Sequence, residues 1–561
     1  MGKSKPGPDA ADEGTIEGMI ADVVAGDIFP GEISIKDGRV ASVRRNAGAR
    51  RDRVITPGLV DAHVHVESSL LTPAAFGRAA CVHGTTDTVS DPHEIANVLG
   101  VAGVRWMLED ARQSPVRIHF GAPSCVPATS FETAGASLGP EEIGELLCLP
   151  GVNHLAEVMN YPGVLLGDPR MTAILGVAKQ LGKRIDGHAP GLTGDALAKY
   201  AAAGIQTDHE AATLDEARQR ARLGMFVAIR EGSAARNFDA LAPLLHEHPD
   251  QCFLCSDDKH PDELLRGHIN QLVARAIAAG IAPMAALRAA TLNPARHYGL
   301  SAGMLQPGDA ADFAILTSLG EGRVLETWIK GRRVAADGHC LLPAPPPAPD
   351  SSLPNIFNRL PCREGDFAVK APPAGQKFRL ILAEDGQLLT GSGEFTPRAH
   401  DGLALADPSR DILKITVVNR YTPSAPPATA FVKNFGLRHG AIASSVAHDS
   451  HNIVAVGADD ASLCAAVNAV IARRGGLSFA APGCEPLALP LPVAGLMTPG
   501  SCAGTAAQFT RLSDAARAAG SPLRSPYMTL SFMALLVIPR LKLGDRGLFD
   551  ATPFTLVPLY A

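Results

Sequence analysis

No apolar run in this 561-residue chain is long enough to cross a bilayer; the longest lies near Met528 to Ile538. No apolar core follows Met1-Gly2-Lys3-Ser4-Lys5-Pro6, so the start does not read as a signal peptide, and residues Met1 to about Gly14 are expected to be disordered. An excess of charge of one sign is also missing. Lys and Arg number 51 against 57 Asp and Glu, a net charge of -6, which points to neither nucleic acid nor a membrane surface as partner. Ten cysteines in a chain this long do not make a disulfide framework, so reduced thiols and a cytoplasmic location are expected. Cys252-Phe253-Leu254-Cys255 lies in a strand-like apolar segment, where positions three apart face opposite ways. With no second pair nearby, both read as small core residues. No internal repeat is evident.

What is present is an ordinary globular composition, 46% hydrophobic and 19% charged, over a length that calls for two or three domains. Residues 15–57 alternate short apolar runs with turns, including the hairpin signal Asp37-Gly38. From 58 to 303, strand-like segments alternate with Ala-rich helical ones. The strands are expected to end near His65, Asp91, Ala122, Met159, His188, His209, Arg230 and Asp257. One helix is expected around Ile269, Leu272, Val273 and Ile277. This is the pattern of a (β/α)8 barrel of TIM type. β character returns over 304–341 and is expected to complete a small β-sandwich domain begun at the N-terminus, with the barrel inserted in it. A Pro-rich linker over 342–353 leads to a C-terminal α+β domain over 354–561, so the fold class is α/β. There Leu463, Val467, Val470 and Ile471 mark one face of a helix.

The chemistry is concentrated at the expected strand ends. In Asp61-Ala62-His63-Val64-His65-Val66-Glu67, His63 and His65 share one face of a strand and form a ready pair of metal ligands. Glu157, His188, His209 and Asp257 follow at later strand ends. A barrel brings such ends to one site, and four histidines with two carboxylates suit two divalent transition metals. Metal-bound water loses a proton near neutral pH. Glu157 is placed to bridge two metals, and Asp257 to move the proton to a leaving group. The chemistry expected is hydrolysis of a C–N or similar polar bond.

These residues resemble the amidohydrolase superfamily and, within it, the bacterial adenine deaminase family. The resemblance runs through Pro57 to Ser69, Asp91-Pro92-His93-Glu94, Asp186-Gly187-His188-Ala189-Pro190-Gly191, Thr207-Asp208-His209-Glu210, Ile229-Arg230-Glu231-Gly232 and Asp257-Asp258-Lys259-His260. It continues in Gly440 to Asn452 and Met528 to Phe532. It implies two divalent metal ions, Mn2+ or Fe2+, with Zn2+ also suited to the ligands. One would sit on His63, His65 and Asp257 and the other on His188 and His209, with Glu157 between them. It implies attack of a metal-bound hydroxide on C6 of adenine, with Asp257 and Glu157 catalytic. Asp91, Glu94, Arg230, Glu231 and Asp258 would bind the purine. His448, Asp449 and His451 read either as contacts at the barrel mouth or as a polar turn between strands. A small-molecule purine is the expected partner, and a homodimer or higher homo-oligomer the expected assembly.

One segment departs from the family pattern. Where relatives usually carry Glu-Arg-His and then a Gly-Thr-Gly turn, this chain has Asn419-Arg420-Tyr421 and a Pro-rich stretch. The departure keeps a second activity in view, deamination of another 6-aminopurine or hydrolysis of a cyclic amide. It also leads to the expectation that Tyr421→His shifts substrate preference more than metal content. A catalytically silent binding protein on the same fold is the third reading.

Overall fold

The computed structural model describes residues 14–346, 352–373 and 375–561. Most of the N-terminal segment expected to be disordered and the middle of the Pro-rich linker lie outside them. Eight short parallel strands form the centre: β5 (Leu59–Val64), β6 (Thr85–Ser90), β7 (Arg117–Ala122), β8 (Val152–Val158), β9 (Arg184–Gly187), β10 (Thr207–Asp208), β11 (Phe226–Arg230) and β12 (Cys252–Cys255). Each ends at, or within two residues of, the position expected from sequence. β5 to β9 pair in order, as do β10 to β12. The Gln206 amide donates to the Ile185 carbonyl between β9 and β10, and a parallel bridge from Val64 to Asp257 closes the ring.

That closing seam is reinforced from within. Asp61 on β5 accepts from the Ser256 amide at 3.0 Å through one oxygen and from the Ser256 hydroxyl through the other, which His268 Nε2 also approaches at 2.9 Å. Charged and polar groups this deep are kept by such pairing. Cys252 and Cys255 are buried in β12, and all ten cysteines are free thiols. The helix Ile269–Ala278 covers β12 with Ile269, Leu272 and Val273 buried.

Before the barrel come β1 (Gly14–Asp22), β2 (Asp27–Lys36), β3 (Arg39–Arg45) and β4 (Val54–Pro57). After it come β13 (Phe313–Leu316), β14 (Val324–Ile329), β15 (Arg332–Ala336) and β16 (His339–Cys340). Both runs join one sheet in the order β16-β15-β14-β13-β4-β1-β2-β3. The sheet curls over a shared core that includes Ile20, Ile33, Phe313 and Trp328. Its curl brings the Gly38 turn so close to Lys330 that an added Cβ would stand 2.8 Å from the Lys330 carbonyl oxygen, and Gly38 has φ 73°. Only glycine meets both demands.

The C-terminal part is a second eight-stranded sheet, with Ile412–Val418 and Ile453–Gly457 at its centre. The helix Asp460–Ala472 packs on it through Leu463, Val467, Val470 and Ile471, all buried. A helix Pro526–Phe532 and the turn after Ser444 reach over the barrel. Apolar residues of the barrel, such as Leu70 and Phe76, share one core with C-terminal residues such as Leu496 and Tyr527. The two parts therefore pack as one body at the strand ends.

Candidate metal centre and active site

A cavity sits where the C-terminal ends of the barrel strands meet the C-terminal part. His63 and His65 enter from β5, Glu157 from β8, His188 and His209 from the turns after β9 and β10, and Asp257 from the turn after β12. All are nearly fully buried. Inward positions alternate along a strand, which is why His63 and His65 both point inward.

The donor atoms stand at the spacing of a coordination shell. His63 Nε2 and His65 Nε2 are 3.1 Å apart, and Asp257 Oδ1 lies 3.5 and 3.4 Å from them. A four-coordinate cation with bonds of about 2.0–2.2 Å sets its donors roughly 3.3–3.6 Å apart. On the other side, Glu157 Oε2 lies 3.3 Å from His188 Nδ1 and 3.0 Å from His209 Nε2. The same oxygen is 3.6 Å from His63 Nε2, so Glu157 stands between the two groups. Backbone contacts hold these side chains in place. Ser124 Oγ donates to the Glu157 carbonyl at 2.6 Å, and the His188 amide donates to Tyr200 Oη at 3.0 Å. Asp257 adopts a left-handed backbone, φ 52°, a conformation that Asp tolerates and that turns its side chain back over the barrel mouth.

The electrostatics demand positive charge. Six carboxylates line the cavity, and Arg230 is the one permanently charged cation among its lining residues. Burial pushes Glu157 up, but His188 and His209 outweigh it and hold the carboxyl well below the ordinary range. Burial opposes protonation of His209, yet Glu157 raises it to about 10. His65 is raised well above its usual value against burial, by Asp257 and Asp258. His65 and His209 thus hold protons that balance the acids. Two divalent cations would supply that charge and free the ring nitrogens as ligands, so the donor set fits such a pair.

Beside the donor cluster is a polar wall. Ser68 Oγ lies 2.5 Å from Asp258 Oδ1 and 3.1 Å from Glu94 Oε1. One hydroxyl proton cannot serve both. Burial, reinforced by Glu67 and Asp258, pushes the Glu94 carboxyl well above its ordinary range. Glu94 therefore keeps its proton and donates to Ser68, which donates to Asp258. His448 Nδ1 is 3.3 Å from Glu94, its ring stacks on Phe532 at 4.5 Å, and its Nε2 has no partner.

Sequence comparison agrees with this chemistry. The amidohydrolase family matches residues 54–334, and the adenine deaminase C-terminal domain matches residues 387–555. A protein named adenine deaminase from Salinibacter ruber is 51% identical over 544 residues, 97% of this chain and 98% of its own length. One of the same name from Methanosarcina barkeri is 46% identical over 554 residues, 98% and 99% of the two chains. The chain belongs to the adenine deaminase family.

Within this adenine deaminase family member, the residues picked out from sequence fall into three groups. His63, His65, Glu157, His188, His209 and Asp257 converge as described. Glu94, Asp258 and His448 line the same cavity. Of the remaining four, Asp91 joins a donor group with His65, His93 and Glu157, while Arg230, Glu231 and His451 are engaged with other protein groups. Arg230 lies at the cavity but turns inward, donating to both oxygens of Glu210 at 2.6 and 2.7 Å and to Asp257 Oδ2 at 2.9 Å. Asp91 accepts from the His93 amide at 3.0 Å and lies 3.2 Å from His93 Nδ1 at the start of the helix His93–Ala111. Glu231 follows inward-facing Arg230 on the chain, so it faces out and pairs with Arg275 at 2.7 Å. His451 lies behind the turn, its Nδ1 accepting from the Ala447 amide.

Two site residues were missed. His93 lines the cavity with Nδ1 3.5 Å from Glu157 and Nε2 3.6 Å from Asp449. Its signal was its place two residues after Asp91. Glu210 directly follows His209, but β10 ends at Asp208 and alternation stops there, so both side chains reach the cavity. The departing segment does not line the cavity. Tyr421 Oη donates to the Ser450 carbonyl at 2.5 Å, Arg420 donates to the carbonyls of Ile356, Ala494 and His451, and Asn419 donates to Asp545 at 2.8 Å. Asn419-Arg420-Tyr421 braces the turn that carries His448.

Proposed function

We propose that this chain hydrolyses adenine to hypoxanthine and ammonia. The observation that carries the reading is the convergence of His63, His65, Glu157, His188, His209 and Asp257 at one barrel mouth in a member of the adenine deaminase family. In this reading His63, His65 and Asp257 hold one divalent cation, His188 and His209 hold a second, and Glu157 joins them. Bound manganese or iron would acidify a water and supply a nucleophile near neutral pH.

The remaining chemistry belongs to the chain. Asp257 has one oxygen fixed by Arg230 and the other turned to His63 and His65, so it is the carboxylate placed to take the proton of the attacking water and deliver it to the departing amine. Glu94 donates its proton to Ser68 in a hydrogen bond, which leaves its unpartnered second oxygen to accept from an N–H of the purine. His448 and Phe532 supply a flat wall against which a purine ring stacks. Leu388 and Leu535 close the apolar side and limit water. The free thiols support a cytoplasmic location, and the enzyme is proposed to act as a homo-oligomer.

Asn419 and Tyr421 stand outside the cavity, which removes the ground for preferring a modified purine. The test is ammonia release from a panel of 6-aminopurines by manganese-loaded protein. Adenine should be turned over fastest. Turnover of a modified purine without turnover of adenine would overturn the reading.

A further inference from the structure

The barrel has a second cavity at the opposite end. It holds about 630 Å³, is open to solvent, and is lined by Arg184, Gln206, Phe226, Arg288, Arg296 and His297, among others. Arg184 and Phe226 are the first residues of β9 and β11, so this is the N-terminal face of the barrel, away from the metal centre. No catalytic residue of such a barrel is expected there.

Three guanidiniums meet at this cavity, and none has a carboxylate partner among the described residues. Arg184 donates Nε to the His297 carbonyl at 3.0 Å, and Arg288 donates Nε to the Val23 carbonyl at 2.8 Å. Arg296 is exposed and makes no hydrogen bond or ion pair among the described residues. Asp250 is the single lining carboxylate. Three arginines without carboxylate partners on one cavity make a local concentration of positive charge that suits an anion.

The wall behind the arginines carries further unmet demand. His297 is 6% exposed, and its Nε2 has no partner. The Gln206 side-chain oxygen is also buried and unpartnered, and a turn of its amide would present an N–H instead. Half-buried Phe226 lies against the His297 ring, with centroids 4.5 Å apart, and offers an aromatic surface beside the charges.

We propose that this cavity binds a nucleoside monophosphate. The phosphate takes the free N–H groups of Arg184, Arg288 and Arg296, which suit its oxygens. The base lies along Phe226, and His297 and Gln206 supply single hydrogen bonds. The site is independent of the deamination chemistry.

The experiment is calorimetric titration of the full-length, manganese-loaded protein with adenosine 5′-monophosphate and, separately, with inorganic phosphate. Saturable binding of the nucleotide is expected, weakened about tenfold or more by Arg184→Ala combined with Arg296→Ala. Adenine turnover should stay at the wild-type rate. Arg296→Glu, at an exposed and unbonded position, gives a second variant whose folding is not at stake and should weaken binding likewise. Inorganic phosphate binding as tightly as the nucleotide would support the anion site with free phosphate as its source. Absence of saturable binding of either at millimolar concentration, or nucleotide binding unchanged in both variants, would overturn the proposal.

Discussion

Replacing Arg230 by methionine tests the electrostatic account of the metal centre most directly. The guanidinium makes three contacts of 2.6 to 2.9 Å with Glu210 and Asp257, and all three side chains are buried. Methionine keeps much of the volume but leaves two carboxylates without their cation. Removing one partner of a buried ion pair costs about 3–5 kcal/mol. For a barrel-sized unit this lowers the unfolding midpoint by roughly 6–20 °C. The loss should be largest in chelated protein, where Arg230 is the only permanent cation lining the cavity. Manganese should recover part of it, because the added positive charge now meets a more negative site. Thermal unfolding of chelated and manganese-loaded forms, wild type and variant, measures both effects. A midpoint shift below about 2 °C in the chelated pair would refute the argument, since it would mean that the carboxylates do not depend on Arg230.

Asp257→Asn removes the proposed proton carrier while keeping its shape, and should lower the deamination rate by about 10²–10⁴-fold with an unchanged circular dichroism spectrum. Wild-type turnover in that variant would remove Asp257 from the mechanism. Tyr421→Phe deletes the bond to the Ser450 carbonyl and should cost about 1–3 kcal/mol of stability while leaving relative rates across purines as they were. A changed ranking would show that this segment reads substrate after all. Lys542 is fully buried, donating to the Leu388 and Phe532 carbonyls at 2.6 and 3.0 Å, and burial pushes it down to about 7. Between pH 7 and 10.5 the unfolded chain holds more protons at this lysine than the folded one, so its contribution to stability rises with pH. Denaturant unfolding at pH 7.5 and 9.5 should show the wild type gaining about 2–3 kcal/mol relative to Lys542→Met, and a parallel pH dependence would count against that shift.

The barrel was legible because its strand ends carry polar residues after apolar runs, and both signals are local. The six proposed ligands were legible for the same reason, since a barrel places every strand end at one mouth. Orientation was less so. Arg230 and Glu231 are adjacent in sequence, and only the structure shows which one faces inward. Leu388, Phe532 and Leu535 reach the cavity from the C-terminal part, and no periodicity links apolar residues there to a site built on β5 to β12. The altered residues Asn419 and Tyr421 stood out by chemistry, but their side chains brace a turn rather than meet a ligand. Their partners, Ser450 and Asp545, decide that, not their type.

The seam between β5 and β12 has a consequence for how the molecule is made. Asp61 and Ser256 are 195 residues apart in sequence, yet they pin together the strands that carry His63 and Asp257. Loop closure over that length comes late, after the intervening βα units have formed. A nascent chain still lacking β12 exposes its histidines without the carboxylate that completes the first group. If these residues hold the ions as proposed, full-strength metal capture would wait until the last barrel strand docks, and ion uptake would report that the barrel has closed.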